Sequence, residues 1–194
     1  MNSSRGNPNV HSDAEFEHGM SGGCLCGSIK VTIHDSDLFT RRRGHLCHCV
    51  NCRKASGSFA AALLIIEADK VQIEDASGTL KVYKDYDSTS GLPVMRYFCR
   101  EDGCPIKGET EQMPGMVILK MGLFPRIPAP EMESFVLHRH PWQVDLKGTI
   151  KYKTLRGGET LGKPFFLQFW SSLVGSMNNT CNFLRRRQRS KSTI

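Results

Sequence analysis

The chain reads as a mainly-β domain of short strands whose connecting loops carry metal-binding cysteines. Three observations predict this class. Short runs alternate polar residues with β-branched apolar ones, the period of a half-buried strand. No amphipathic helical pattern is sustained before residue 155. Seven of the eight cysteines fall before that point, at C-x-C, C-x-C-x-x-C and C-x4-C spacings. Those spacings let turns gather sulfurs around one ion.

Taken in order, residues 1–19 are rich in Asn, Ser, Gly, His and acids and nearly free of apolar residues, which predicts a disordered leader. Ordered structure is expected from Gly22. Ser28 to Ile33 alternates as a strand, and Asp35-Ser36-Asp37 marks a turn. Arg41-Arg42-Arg43 is a short basic run of the kind found on solvated edges. Val50 to Ala55 predicts a short helical turn ended by Gly57. Phe59 to Ile66 is an apolar run that fits a buried strand. Val71 to Glu74 and Leu80 to Lys84 alternate around a turn at Ser77-Gly78, and Val94 to Phe98 and Met116 to Leu119 supply further strands. Pro125, Pro128 and Pro130 punctuate a loop leading to Phe135-Val136-Leu137. His138 and His140 are then expected on one face of a strand.

From residue 156 the composition changes. An aromatic stretch, Phe165 to Trp170, is followed by the basic end Arg185-Arg186-Arg187. It is too short and too polar for a membrane span, and the reading is a divergent, poorly ordered extension. Three segments result: a leader 1–19, a domain 20–155 and a tail 156–194. Charge follows the same division. The net charge of +7 is −2 over the leader, +3 over the domain and +6 over the tail. The balanced domain does not present a nucleic-acid footprint by charge. The N-terminus has no apolar core of a secretory signal, so the cysteines are read as reduced and the compartment as cytoplasmic, with the nucleus as the alternative.

The cysteine arithmetic is four plus three plus one. Cys24 and Cys26 with Cys99 and Cys104 make a complete four-thiolate set, and the triplet Cys47, Cys49 and Cys52 is left with three ligands. Four donors close a structural zinc; three leave a position for water or substrate, as catalytic zinc requires. The last cysteine, Cys181, lies in the tail.

The ordered set Gly23-Cys24-Leu25-Cys26-Gly27, Cys47-His48-Cys49-Val50-Asn51-Cys52-Arg53-Lys54 with Ser56-Gly57-Ser58, and Tyr97-Phe98-Cys99 to Cys104 resembles the glutathione-dependent formaldehyde-activating enzyme family. That family includes centromere-protein-V-like members. The resemblance spans roughly residues 20–155. It implies a β-tent-like fold, a structural zinc on Cys24, Cys26, Cys99 and Cys104, and a second zinc on Cys47, Cys49 and Cys52 that takes part in chemistry. It also implies addition of glutathione to formaldehyde, whose reversal is a carbon–sulfur lyase reaction. One feature departs from the pattern. Cys99 and Cys104 are separated by four residues where the family usually has two.

Around the triplet the open reading competes with a second structural zinc closed by His45, His138 or His140. His48, between two ligands, is expected to point away from the metal. Arg53 and Lys54 are candidates for the carboxylates of an acidic thiol such as glutathione. Trp142 is read as packing. The rival class is a non-enzymatic zinc module that binds a protein or nucleic-acid partner through its basic tail; nucleic-acid or membrane contact by the tail is not the favoured reading.

Overall fold

The computed structural model describes residues 6–162. The tail from residue 163 onward, with its aromatic and basic stretches and Cys181, lies outside the described residues. The chain divides into two compact units, Met1–Glu159 and Thr160–Ile194, and every element below belongs to the first. Among the described residues no helix is long and apolar enough to cross a membrane.

The mainly-β class holds. In order, the elements are β1 (Met20–Gly23), β2 (Lys30–Ile33), β3 (Gly44–Cys47), α1 (Val50–Ser56), β4 (Ala61–Glu67), β5 (Val71–Glu74), β6 (Leu80–Asp85), β7 (Val94–Cys99), β8 (Pro105–Thr110), β9 (Met116–Lys120), β10 (Pro130–Ser134) and β11 (Ile150–Lys151). They form a three-stranded sheet, β1-β2-β5, and an eight-stranded sheet, β11-β10-β3-β4-β9-β8-β7-β6. Pairing is antiparallel except where β10 runs parallel to β3 and β11.

Side-chain alternation divides the residues of the large sheet between two apolar clusters. On β4, Leu64 and Ile66 join Val31 and Ile33 of β2 and Val117 and Leu119 of β9 in the main core. Their neighbours Ala61 and Leu63 belong to a second cluster with Cys47 and Phe135, and Ile118 packs against it. Because the period is 2, adjacent residues of one strand serve different clusters. Between β7 and β8 the register shifts at the Tyr97/Phe98 step. The shift brings Ile106 into the main core, whereas Gly108 pairs with Ile118 of the second cluster.

Two expectations are corrected. The leader is ordered over its described part: Pro8–Val10 and Asp13–Phe16 form 3-10 turns, the second closed by a Ser12/Glu15 capping box. Phe16 is the reason. Its ring is buried in the main core and lies 5.2 Å from that of Phe39. One large apolar residue anchors a segment whose composition alone reads as disordered. The run after Pro130 is also not a strand beyond Ser134. Phe135 adopts φ 58°, left-handed, and Val136–His138 is a 3-10 turn. His138 and His140 therefore do not share a strand face.

Candidate active site

The triplet is assembled by two elements. Cys47 ends β3, and Cys49 is the N-cap residue of α1, with its Sγ accepting the Cys52 N–H at 3.3 Å. A sulfur at the N-cap and another at the third helical position converge because the first turn brings them to the same side. Gly57, at φ 61°, closes the other end of α1 and takes the left-handed conformation a C-cap needs. All three sulfurs lie within 4.8 Å of one another. Among the described residues no further His, Cys, Asp or Glu donor joins that group.

Beside the triplet opens a cavity of about 700 Å³. Sheet register explains its walls. His45 pairs with Leu63 and Leu63 with Lys120; Ile65 pairs with Ile118, Ile118 with Gly108 and Gly108 with Arg96. Cross-strand partners point to one face, so these two rows present His45, Lys120 and Arg96 to the same apolar-walled space. Gly108 adds no side chain between Ile118 and Arg96, which leaves room there.

Two cations lean on the triplet. Arg96 approaches Cys52 and is held from behind by Asp85, whose Oδ2 accepts from Nε and Nη2 at 2.7 Å each. Asp85 also accepts from Asn51 Nδ2 of α1, so one buried carboxylate fixes the helix and the guanidinium together. Lys120 is buried, and burial lowers the pKa of its ammonium while the Cys52 sulfur opposes that shift. Within the triplet the Cys52 thiol is pulled far below the ordinary thiol range. Hydrogen bonds from Cys47 and Cys49 are the main cause, and Lys120 and Arg96 add to it. Cys47 is pushed up in turn by the same shared hydrogen bonds. A negative charge is thus best placed at Cys52, between the two cations.

The histidines take separate roles. His45 borders the cavity, shares a 2.8 Å hydrogen bond between Nε2 and Ser134 Oγ, and is held neutral by burial, which lowers its pKa to about 4. His48 lies away from the cavity, buried against Glu133 at 3.0 Å. His138 borders the cavity with its ring 5.3 Å from that of Phe135. His140 is outside it, accepting from Arg53 Nη1 at 2.7 Å and stacked on Trp142. Trp142 packs edge-on to Phe59 and against His140, at the surface and not in the core. Arg53 and Lys54, the sequence candidates for carboxylate binding, do not line the cavity. Arg96, Lys120 and Arg156 do, and they went unnoticed because each is a lone base in an otherwise ordinary strand or turn. Phe135 was missed as well: nothing in the sequence signals that its left-handed backbone turns the chain beside the triplet.

The second group lies at the edge of the main core, with Cys24 and Cys99 buried in it and Cys26 exposed. Cys24, Cys26 and Cys99 come together with the Asp102 carboxylate, all four donor atoms within 4.8 Å of one another, and Cys104 is not part of this group. Sγ of Cys26 is 3.5 Å from that of Cys24 and 3.7 Å from that of Cys99. Tetrahedral zinc with Zn–S bonds of about 2.3 Å places its sulfurs about 3.8 Å apart, so these spacings fit the ion. Burial raises the Cys24 thiol to about 11, and a cation would offset that cost.

A family model described as glutathione-dependent formaldehyde-activating enzyme matches residues 19–138, which include both cysteine groups. No curated protein matches the chain. Among solved structures, one of a Rhodobacter sphaeroides protein is similar at 16% identity, covering 54% of this chain and 86% of that one, with a TM-score of 0.42.

Proposed function

Because the chain belongs to the glutathione-dependent formaldehyde-activating enzyme family, we propose that it joins a small thiol such as glutathione to a small aldehyde, and cleaves the adduct in reverse, in the cavity beside Cys47, Cys49 and Cys52. The observation that carries this reading is three convergent sulfurs at the edge of a cavity of about 700 Å³, large enough for a tripeptide-sized thiol. The soft three-sulfur donor set suits zinc, which when bound would act as a Lewis acid that favours the thiolate form of a substrate thiol.

The chain's own residues supply the rest. The thiol sulfur attacks the aldehyde carbon, a carbon–sulfur bond forms, the carbonyl π pair moves to oxygen, and the thiol proton ends on the new hydroxyl. Lys120 and Arg96 stabilise negative charge on the attacking sulfur and on the developing oxygen. Asp85 keeps Arg96 in place for this task. Neutral His45 borders the same cavity, its buried Nδ1 without a hydrogen-bond partner among the described residues. In reverse, the same cations stabilise the departing sulfur, a carbon–sulfur lyase reaction.

The test is the rate of S-(hydroxymethyl)glutathione formation from glutathione and formaldehyde, measured by exchange NMR against the protein-free reaction. Zinc-loaded protein is expected to exceed that background clearly. Rates equal to background across a panel of thiols and aldehydes would refute the proposal.

A second measurement addresses the cations. Lys120→Met, close in volume, is expected to lower kcat/KM by about 10- to 100-fold, or roughly 1.4–2.7 kcal/mol, with zinc content unchanged. Arg53→Ala should stay within about twofold of wild type, since its guanidinium faces His140 and not the cavity. The reverse ranking would return the anion-binding role to Arg53.

A further inference from the structure

The loop between β7 and β8 carries a detail that cysteine counting passes over. Counted from Cys99, the residue two intervening positions along is Asp102, followed by Gly103 at φ 71° and only then by Cys104. A paired ligand at C-x-x spacing followed by a left-handed glycine is how a tight metal knuckle turns. Gly103 N–H closes that turn onto the Cys99 carbonyl at 2.9 Å. Cys104 immediately precedes the return strand β8, its carbonyl accepting from Cys99 N–H at 2.9 Å, with Pro105 opposite Phe98. The knuckle therefore presents a carboxylate where a second thiol would sit.

We propose that the closed metal site of this protein is bound by Cys24, Cys26, Cys99 and the Asp102 carboxylate, and that Cys104 is a free thiol. The four donor atoms share one cluster and Cys104 is outside it. The carboxylate is also oriented like a ligand. Oδ2 accepts the Cys26 N–H and Oδ1 the Cys104 N–H, both at 2.8 Å. Each oxygen keeps a lone pair free, and two amide donors fix its plane, as outer partners do for metal-bound carboxylates. Three sulfurs and one oxygen remain a good zinc set, since zinc accepts Cys and Asp donors in one tetrahedron. The rival account makes Asp102 a staple between two loops and lets Cys104 complete a four-sulfur site.

The two accounts differ in which thiol the metal protects, which can be read without any activity. In zinc-loaded full-length protein treated with iodoacetamide and mapped by mass spectrometry, Cys104 should alkylate at least about tenfold faster than Cys24, Cys26 and Cys99. A metal-free sample provides the reference. Zinc per chain should be unchanged in Cys104→Ser and fall by one equivalent in Asp102→Ala. In cobalt-substituted protein, Asp102→Cys should strengthen the sulfur-to-cobalt charge-transfer band as a fourth thiolate joins. Should Asp102→Ala fail to fold, the wild-type alkylation map and Cys104→Ser still decide. Cys104 protected as well as Cys99 would overturn the assignment. So would loss of this zinc in Cys104→Ser with retention in Asp102→Ala, or absence of metal protection at Cys24, Cys26 and Cys99. Protection of Cys47, Cys49 and Cys52 is read from separate peptides, so this result stands apart from the proposed enzymatic reaction.

Discussion

Cys49→Ser is expected to give a folded protein that binds one zinc fewer and turns over at the uncatalysed rate. Three sulfurs are the minimum that holds a zinc while leaving a position for substrate, and removing one leaves two. The expected loss is at least about 10³-fold in kcat/KM, roughly 4 kcal/mol of transition-state stabilisation. The fold should survive because serine is itself a good N-cap residue, and Cys49 is partly exposed at the start of α1. Losing the cap altogether would cost only about 1 kcal/mol. Zinc per chain, circular dichroism and exchange NMR measured together check this. A Cys49→Ser protein with full turnover would remove the triplet from the mechanism. One that unfolds would show the triplet to be structural.

Cys99→Ser is expected to have the largest effect on stability. Cys99 is fully buried, Cys24 nearly so, and both sit in the main core among Ile29, Leu38 and Ile106. Binding of a structural zinc contributes about 10–16 kcal/mol in small zinc peptides, against a total stability of about 5–15 kcal/mol for an ordinary domain. Even a third of that, at roughly 2–4 °C per kcal/mol for a chain of this size, lowers Tm by about 7–21 °C. A buried serine hydroxyl left without a partner would itself cost about 1–3 kcal/mol. Chelation of the wild-type protein separates the two causes, because it removes the metal and adds no hydroxyl. A chelated protein with unchanged Tm would show that the Cys24 and Cys99 loops are held by packing alone.

What the sequence by itself determined is local and chemical. Alternation in Lys30–Ile33 and Val71–Glu74 specifies strands, because a two-residue period reports one more buried face whatever lies opposite. Leu80–Lys84 alternates too, but as part of the edge strand β6 it is mostly exposed on both faces. Val50 to Gly57 specifies a capped helical turn, because Cys49 and Gly57 satisfy its ends within the segment. Three sulfurs at C-x-C-x-x-C spacing are legible as one cluster, since a single turn brings them together. Tertiary structure decided everything that depends on pairing across the chain. Arg53 and Lys54 adjoin the triplet in sequence, but α1 turns Arg53 toward His140. Arg96 and Lys120, on β7 and β9, reach the cavity only through the register β7-β8-β9-β4-β3. Phe16 orders the leader because a pocket in the main core accepts its ring, and no leader residue announces that pocket. Asp102, and not Cys104, lies within 4.8 Å of the Cys24, Cys26 and Cys99 sulfurs, because Gly103 turns the backbone between them. Cysteine spacing counts residues; it does not say which way each one points, and that direction is set by the turn and by the strand pairing that follows it.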